Sequence, residues 1–160
     1  MAIVRMIMRW NMEDGGLPEE ERKPIWLYIE SGGGNAVYMW TLIDAILSSV
    51  TPVYTVNMGL AASAAALIFM AGKIRFMMPR AKVMIHEGSA SIEGDAGKVL
   101  DFSDAYKKDL QASRDYILER TQIPKRQLSK KRSNDWELDA AYCLEYKVCD
   151  KIVSGLNEIL

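Results

Sequence analysis

Residues 25–34 read IWLYIESGGG. The first five are a continuous apolar run of β-favouring types, which predicts a strand buried on both faces, and the glycines at 32–34 end it abruptly. A helix is expected from Ala36 to Leu47, with Val37, Trp40, Ile43 and Leu47 on one side. The alternation then returns. Residues 53–56 (VYTV) predict a second strand, Met58-Gly59 a turn, and residues 61–71 a helix that is apolar on nearly every face and therefore has to be buried. Residues 74–77 (IRFM) and 82–86 (KVMIH) predict a third and a fourth strand, separated at Met78-Pro79. Strand–helix–strand alternation with short connections implies parallel pairing and an α/β fold.

Upstream, residues 1–12 predict an amphipathic helix through Ile3, Met6, Ile7 and Trp10, stopped at Glu13-Asp14-Gly15-Gly16. Residues 19–23 read as a charged, solvated loop. Beyond His86 the character changes. Residues 87–95 are rich in Gly and Ser and predict a loop, and a long helix follows from Ala96 to Arg120. Val99, Phe102, Tyr106, Leu110 and Ile117 form one apolar stripe on it, and Pro124 closes it. The basic run 125–132 reads as a solvated helix face. Asp139 is placed to cap a last helix over 140–146, and a short strand is expected near 151–153. No repeat or linker divides the chain, so residues 1–160 are read as a single domain.

Composition narrows the function classes. Hydrophobic residues make up 49% and charged residues 26%, the balance of a globular protein. Twenty Lys and Arg against 21 Asp and Glu leave a net charge of -1, which excludes a generally basic nucleic-acid binder. The longest apolar run, residues 59–72, is too short to span a bilayer, so no membrane partner is expected. The first sixteen residues put Arg5 inside their only apolar stretch and lack a small-residue cleavage site, so they do not read as a signal peptide. Cys143 and Cys149 have neither zinc-site nor disulfide-framework spacing and read as core residues of a cytoplasmic protein.

Four positions carry candidate chemistry. His86 is the one histidine in the chain, so any imidazole catalysis must use it, and no second His or nearby Cys stands by to complete a zinc site. Ser63 sits in GLAASAAA, where a strand-to-helix turn would present its hydroxyl beside backbone N–H groups. The glycines at 32–34 lack the spacing and the Lys of a phosphate loop, and are able to bring a backbone N–H close to a substrate carbonyl. Asp135 lies in Ser133-Asn134-Asp135-Trp136. Taken singly, each also has an ordinary reading: a bonded core histidine, a small packing residue, a plain turn, a cap.

In order along the chain, IWLYIESGGG, GLAASAAALIFMAG, PRAKVMIHEG, ERTQIP and NDWELDAAYCLEYKVCDKI resemble the proteolytic subunit family of the Clp protease. The resemblance implies a crotonase-like α/β fold with a protruding long-helix handle at about residues 88–133. It implies a Ser-His-Asp peptidase with Ser63 as nucleophile, His86 as general base and Asp135 orienting it, and with the oxyanion held by backbone N–H groups of Gly34, Gly33 and Ala64. It further implies peptides or unfolded polypeptides as substrate, heptameric rings stacked in pairs into a homo-oligomeric tetradecamer, an unfoldase ATPase as a partner to consider, and no metal or organic cofactor. Against the family pattern, Gly32 replaces a proline, Ala64 a methionine, and Glu87-Gly88 a Gln-Pro; Glu87 is expected to add negative charge beside the imidazole. Family members also extend several dozen residues before the position matching Met1, through a first helix and the hairpin of the axial opening. Two other functions fit the same residues: a catalytically silent partner in a mixed ring, and a crotonase-like acyl-CoA enzyme, which would not require this Ser, His and Asp order.

Overall fold

The computed structural model describes residues 2–130 and 135–159. The ends of the basic run (131–132) and of the expected handle (131–133) lie outside the described residues, as does Met1. The elements are α1 (Ala2–Asp14), β1 (Ile25–Ser31), α2 (Ala36–Leu47), β2 (Val53–Ala62), α3 (Ala64–Met70), β3 (Ile74–Met77), β4 (Lys82–Ile85), α4 (Ala96–Arg120), α5 (Lys125–Lys130), β5 (Trp136–Leu138), α6 (Ala140–Glu145) and β6 (Lys151–Ile152). Single 3-10 turns at Glu19–Glu21 and Leu156–Glu158 complete the described chain.

The six strands form one mixed sheet organised on β2. β1 pairs with β2 in parallel along one side, with Tyr28 opposite Val56 and Ser31 opposite Ala61. Along the other side β3 pairs with the first part of β2 and β4 with its last residues, both in parallel. β6 extends the β3 end in parallel, whereas β5 runs antiparallel to β4. The expected parallel pairing is found among β1 to β4 and β6, and β5, a strand the sequence reading does not contain, adds an antiparallel pair. Trp-Glu-Leu is too short a run to announce a strand, and its pairing with β4 alone defines it.

Two further expectations are corrected by the same sheet. Met58-Gly59 is not a turn, because β2 runs on to Ala62 and the pairing with β1 shifts between Ile29 and Ser31. The extra residues are absorbed as a bulge. Buried Asn57 holds this point, donating from Nδ2 to Lys82 O (2.8 Å) and accepting from Gly59 N (3.2 Å). β1, in turn, is not buried on both faces. Ile25, Leu27 and Ile29 join the main core, while Trp26 packs in a smaller cluster with Val56, Phe76, Val153 and Ile159 on the opposite side. Tyr28 is half exposed and donates its hydroxyl to Ile159 O. With β1 at the edge, only one face of it is covered by helices.

The main core is centred on α3, of which every residue but Ile68 is buried, with Ala66, Phe69 and Met70 fully so. α2 packs on α3 through Met39, Ile43 and Ile46. Its buried stripe is thus rotated from the expected one, leaving Val37 (69%) and Leu47 (49%) exposed. Asn35 caps α2 by accepting from Val37 N and Tyr38 N, which uses two of the amides that a helix start leaves unpaired. At the far end of α3, Arg120 donates to Met70 O and Gly72 O, while Arg75 joins Asp150 through Nε and Nη2 and donates from Nη1 to Arg120 O. Among the described residues, no helix is long and apolar enough to cross a membrane.

Candidate active site

Ser63 is the residue between β2 and α3. It does not lie just inside the helix, as its sequence setting predicts, but caps it with φ 56 and ψ -123. A positive φ on a residue with a Cβ costs about 1–3 kcal/mol and persists only where surrounding structure fixes it. Here the fixing is visible: Ser63 N donates to Met84 O of β4 (2.9 Å), and Ser63 O accepts from Ala66 N (3.0 Å). Ser63, half-buried, lines a cleft of about 420 Å³.

The neighbouring glycine loop lies directly against Ser63. Gly33 has φ +102, and a Cβ there would stand 2.7 Å from Ala62 O and 2.8 Å from Ser63 Cβ. Only glycine fits, both for its conformation and for the close approach to Ser63. Gly33 N donates to Ser31 Oγ (3.1 Å), whereas Gly34 and Ala64 line the cleft together with Ser63. Of the three expected oxyanion donors, two therefore border the cleft, and the third has its N–H directed to Ser31.

His86 follows directly on β4, and Asp135 directly precedes β5. Ile85 pairs with Trp136, so continuing that register by one step sets His86 opposite Asp135. Nδ1 of His86 stands 3.3 Å from Asp135 Oδ1, with the histidine side chain 29% exposed and the aspartate 71%. Two residues far apart in sequence are thus brought together by the short strand that sequence reasoning missed.

The cleft runs from Ser63 and His86 between α2, α3 and α4, with Met39, Leu67, Leu110, Ile117, Leu128 and Trp136 as its apolar walls. Leu128 shows that the basic run is not wholly a solvated face, since α5 turns this one residue inward, 7% exposed. Glu87, expected to add negative charge beside the imidazole, has a cationic neighbour. Its carboxylate lies against Arg114 of α4, whose Nε is 2.8 Å away and whose Nη2 also donates to it, and its backbone carbonyl accepts from Tyr106 Oη (3.1 Å). The guanidinium offsets the added charge.

The chain's other nucleophile type is set aside by burial. Cys143 and Cys149 are fully buried; burial holds the Cys143 thiol far above its ordinary range and pushes Cys149 up to about 11, so neither forms thiolate at neutral pH. Among the described residues, no group of three or more His, Cys, Asp or Glu side chains is placed to hold a metal ion.

The family model described as Clp protease matches residues 17–155. The ATP-dependent Clp protease proteolytic subunit 2 of Treponema denticola is 34% identical over 143 residues, covering 86% of this chain and 70% of the relative. The ATP-dependent Clp protease proteolytic subunit of the alga Staurastrum punctulatum is 32% identical over 142 residues, 87% of this chain and 71% of its own. Subunit 1 of Bacillus cereus is 30% identical over 137 residues, 84% of this chain and 71% of that subunit.

Proposed function

Since the chain belongs to the Clp protease family, whose fold is crotonase-like, we propose that it is a serine-type endopeptidase with Ser63 as nucleophile, His86 as general base and Asp135 as the group that orients the imidazole. One observation carries the reading. Ser63, held at a strained strand-to-helix turn, shares a cleft with the chain's single histidine, and one ring nitrogen of that histidine faces a carboxylate at 3.3 Å.

The chemistry follows from which nitrogen is taken. Asp135 stands at Nδ1, which fixes the neutral tautomer with Nε2 free to accept. Nε2 takes the Ser63 hydroxyl proton as Oγ attacks the scissile carbonyl, and Asp135 stabilises the imidazolium that forms. The N–H groups of Gly34 and Ala64 bind the resulting oxyanion, and Gly33 supports them by letting its loop sit against Ser63. His86 then returns the proton to the leaving amine, and water repeats the cycle on the acyl-enzyme. The apolar walls of the cleft receive a side chain of an extended peptide or unfolded polypeptide.

The same reading puts the subunit in heptameric rings, stacked in pairs around a chamber in the cytoplasm, with an unfoldase ATPase as feeder. Support comes from the apolar side chains left exposed on the helices, Met12 (83%), Tyr38 (66%) and Leu100 (66%) among them. The test is labelling with a serine-directed fluorophosphonate followed by peptide mapping. The expected result is one adduct at Ser63, lost together with peptidase activity in a folded Ser63→Ala variant. An adduct elsewhere, or full turnover in Ser63→Ala, rejects the triad; no adduct at all points to a silent ring partner.

A further inference from the structure

The ladder that positions His86 ends at Ile85, one residue before it. Beyond it the chain leaves the sheet through Gly88, at φ +75, and runs without regular structure to α4. What holds the turn just after the base is a pair of contacts from two α4 residues, two turns apart on the same helix face. Arg114 grips the Glu87 carboxylate through Nε and Nη2, and Tyr106 donates to the Glu87 carbonyl. Both charged side chains are largely sheltered, at 21% and 24% exposed, so the contact belongs with the stronger ion pairs and not with the freely solvated ones.

We propose that Arg114 is a positioning residue for His86: through Glu87 it fixes the peptide that follows the base, and so sets the imidazole against Ser63 and Asp135. Deepening the serine-peptidase reading, the proposal rests on that reading for its kinetic consequence alone; the placement of His86 is measurable without it. Proton transfer needs heavy atoms within hydrogen-bond reach, and a displacement of about 1 Å at a reacting group costs on the order of a hundredfold in rate. The long helix thereby acquires a direct link to the catalytic step, carried by a residue that lies one turn before its buried end at Ile117.

The experiment uses the full chain in six forms: parent, Glu87→Gln, Arg114→Gln, the double Gln variant, Arg114→Lys and the exchanged pair Glu87→Arg with Arg114→Glu. Because His86 is the chain's one histidine, biosynthetic labelling with 13Cε1-histidine gives a ring signal from this site alone. Glu87→Gln and Arg114→Gln are each expected to shift or broaden that signal, the exchange to return it towards the parent position, and Arg114→Lys to fall between. Fluorophosphonate labelling of Ser63 and peptide kcat should drop about a hundredfold in the two Gln variants, with KM changed far less, and recover in the exchange. The double Gln variant should be no slower than either single one, as expected for residues acting as a unit. An unmoved histidine signal in both Gln variants overturns the proposal. So does an exchange as impaired as the single variants, which would mean that Arg114 meets substrate directly. If the histidine signal responds as stated while the parent takes no label at Ser63, the positioning stands and the serine-peptidase reading falls.

Discussion

On the Ser63 side of the cleft, where β2 passes into α3, Ala61, Ala62 and Ala64–Ala66 are at most 8% exposed. On the facing side, α4 runs for 25 residues and buries only Tyr116 and Ile117, near its end. Its expected apolar stripe is only partly covered: Ile117 is buried, Leu110 is half-buried in the cleft wall, Phe102 and Tyr106 are half-buried and stack on each other at 6.0 Å between ring centroids outside the core cluster, and Val99 is exposed. One wall is therefore fixed by close-packed apolar contact and the other by a few polar links and its last two turns. Local stability follows the density of buried contacts, so the two walls are expected to differ in how easily they open. Ser63 sits on the densely packed wall, and the residue after His86 is tied to the more open one.

Three substitutions separate the walls. The largest effect on folding is expected for Phe69→Ala in α3, where the ring is fully buried and the void has no slack to close it. Chemical denaturation should report a loss of about 3–5 kcal/mol; a loss below 1 would mean that the Ser63 wall is not packed as described. Next comes Asp150→Asn, which breaks the contact of Asp150 with 8% exposed Arg75 and with it the strap from β3 to the end of α4. About 3 kcal/mol is expected at neutral pH. Burial favours the neutral Asp150 carboxyl, yet the hydrogen bonds and charge of Arg75 outweigh it and hold the group below the usual carboxylate range. A lowered folded-state value means that this stability is complete above the unfolded value of about 3.9 and lost as pH falls through the folded one. Below about pH 4 the parent and Asp150→Asn should therefore converge in urea midpoint, and a constant gap down to pH 2 would contradict the assignment.

The smallest folding effect is expected on the open wall. Phe102→Glu should change the stability of the fold by about 0.5 kcal/mol or less, since the ring is not in the core. If the stripe is where assemblies meet, the same substitution should lower particle mass by native mass spectrometry and peptide turnover together. Full turnover in small particles would show that the two walls close without a neighbour.

Much of the scaffold was legible because local pattern and tertiary demand agree there. Ala36 to Leu47, Ile74 to Met77 and Ala96 to Arg120 form as their periodicity predicts, down to the terminal residues. Where long-range pairing decides, the pattern misled. Met58-Gly59 carries turn chemistry, yet pairing of Leu60, Ala61 and Ala62 with β4 draws it into a strand. Val37 and Leu47 share a stripe with Ile43, yet the buried face of α2 is chosen by α3, which periodicity does not locate. Ser63 and His86 stood out as the exposed hydroxyl at a strand-to-helix turn and the lone imidazole at a strand end, and they share a cleft. Arg114 did not stand out, because an arginine on a charged helix face is ordinary until its partner is known, and Arg75 with Asp150 likewise pairs across a sequence separation that no local signal spans.

The antiparallel pairing of β4 with β5 has a topological consequence. The two strands make a hairpin, and everything from residue 86 to residue 135 is its loop, long helix included. His86 and Asp135 are the first residues past the closed ladder, so the hairpin brings their backbones opposite each other and leaves to the loop only the finer placing of the peptide after His86, through Arg114 and Glu87. Closing a loop grows costlier only with the logarithm of its length, about 0.6 kcal/mol for each doubling. The segment between His86 and Asp135 is thus able to lengthen or shorten over evolution at little energetic cost, provided that its first and last residues still meet and a contact such as that of Arg114 on Glu87 is kept.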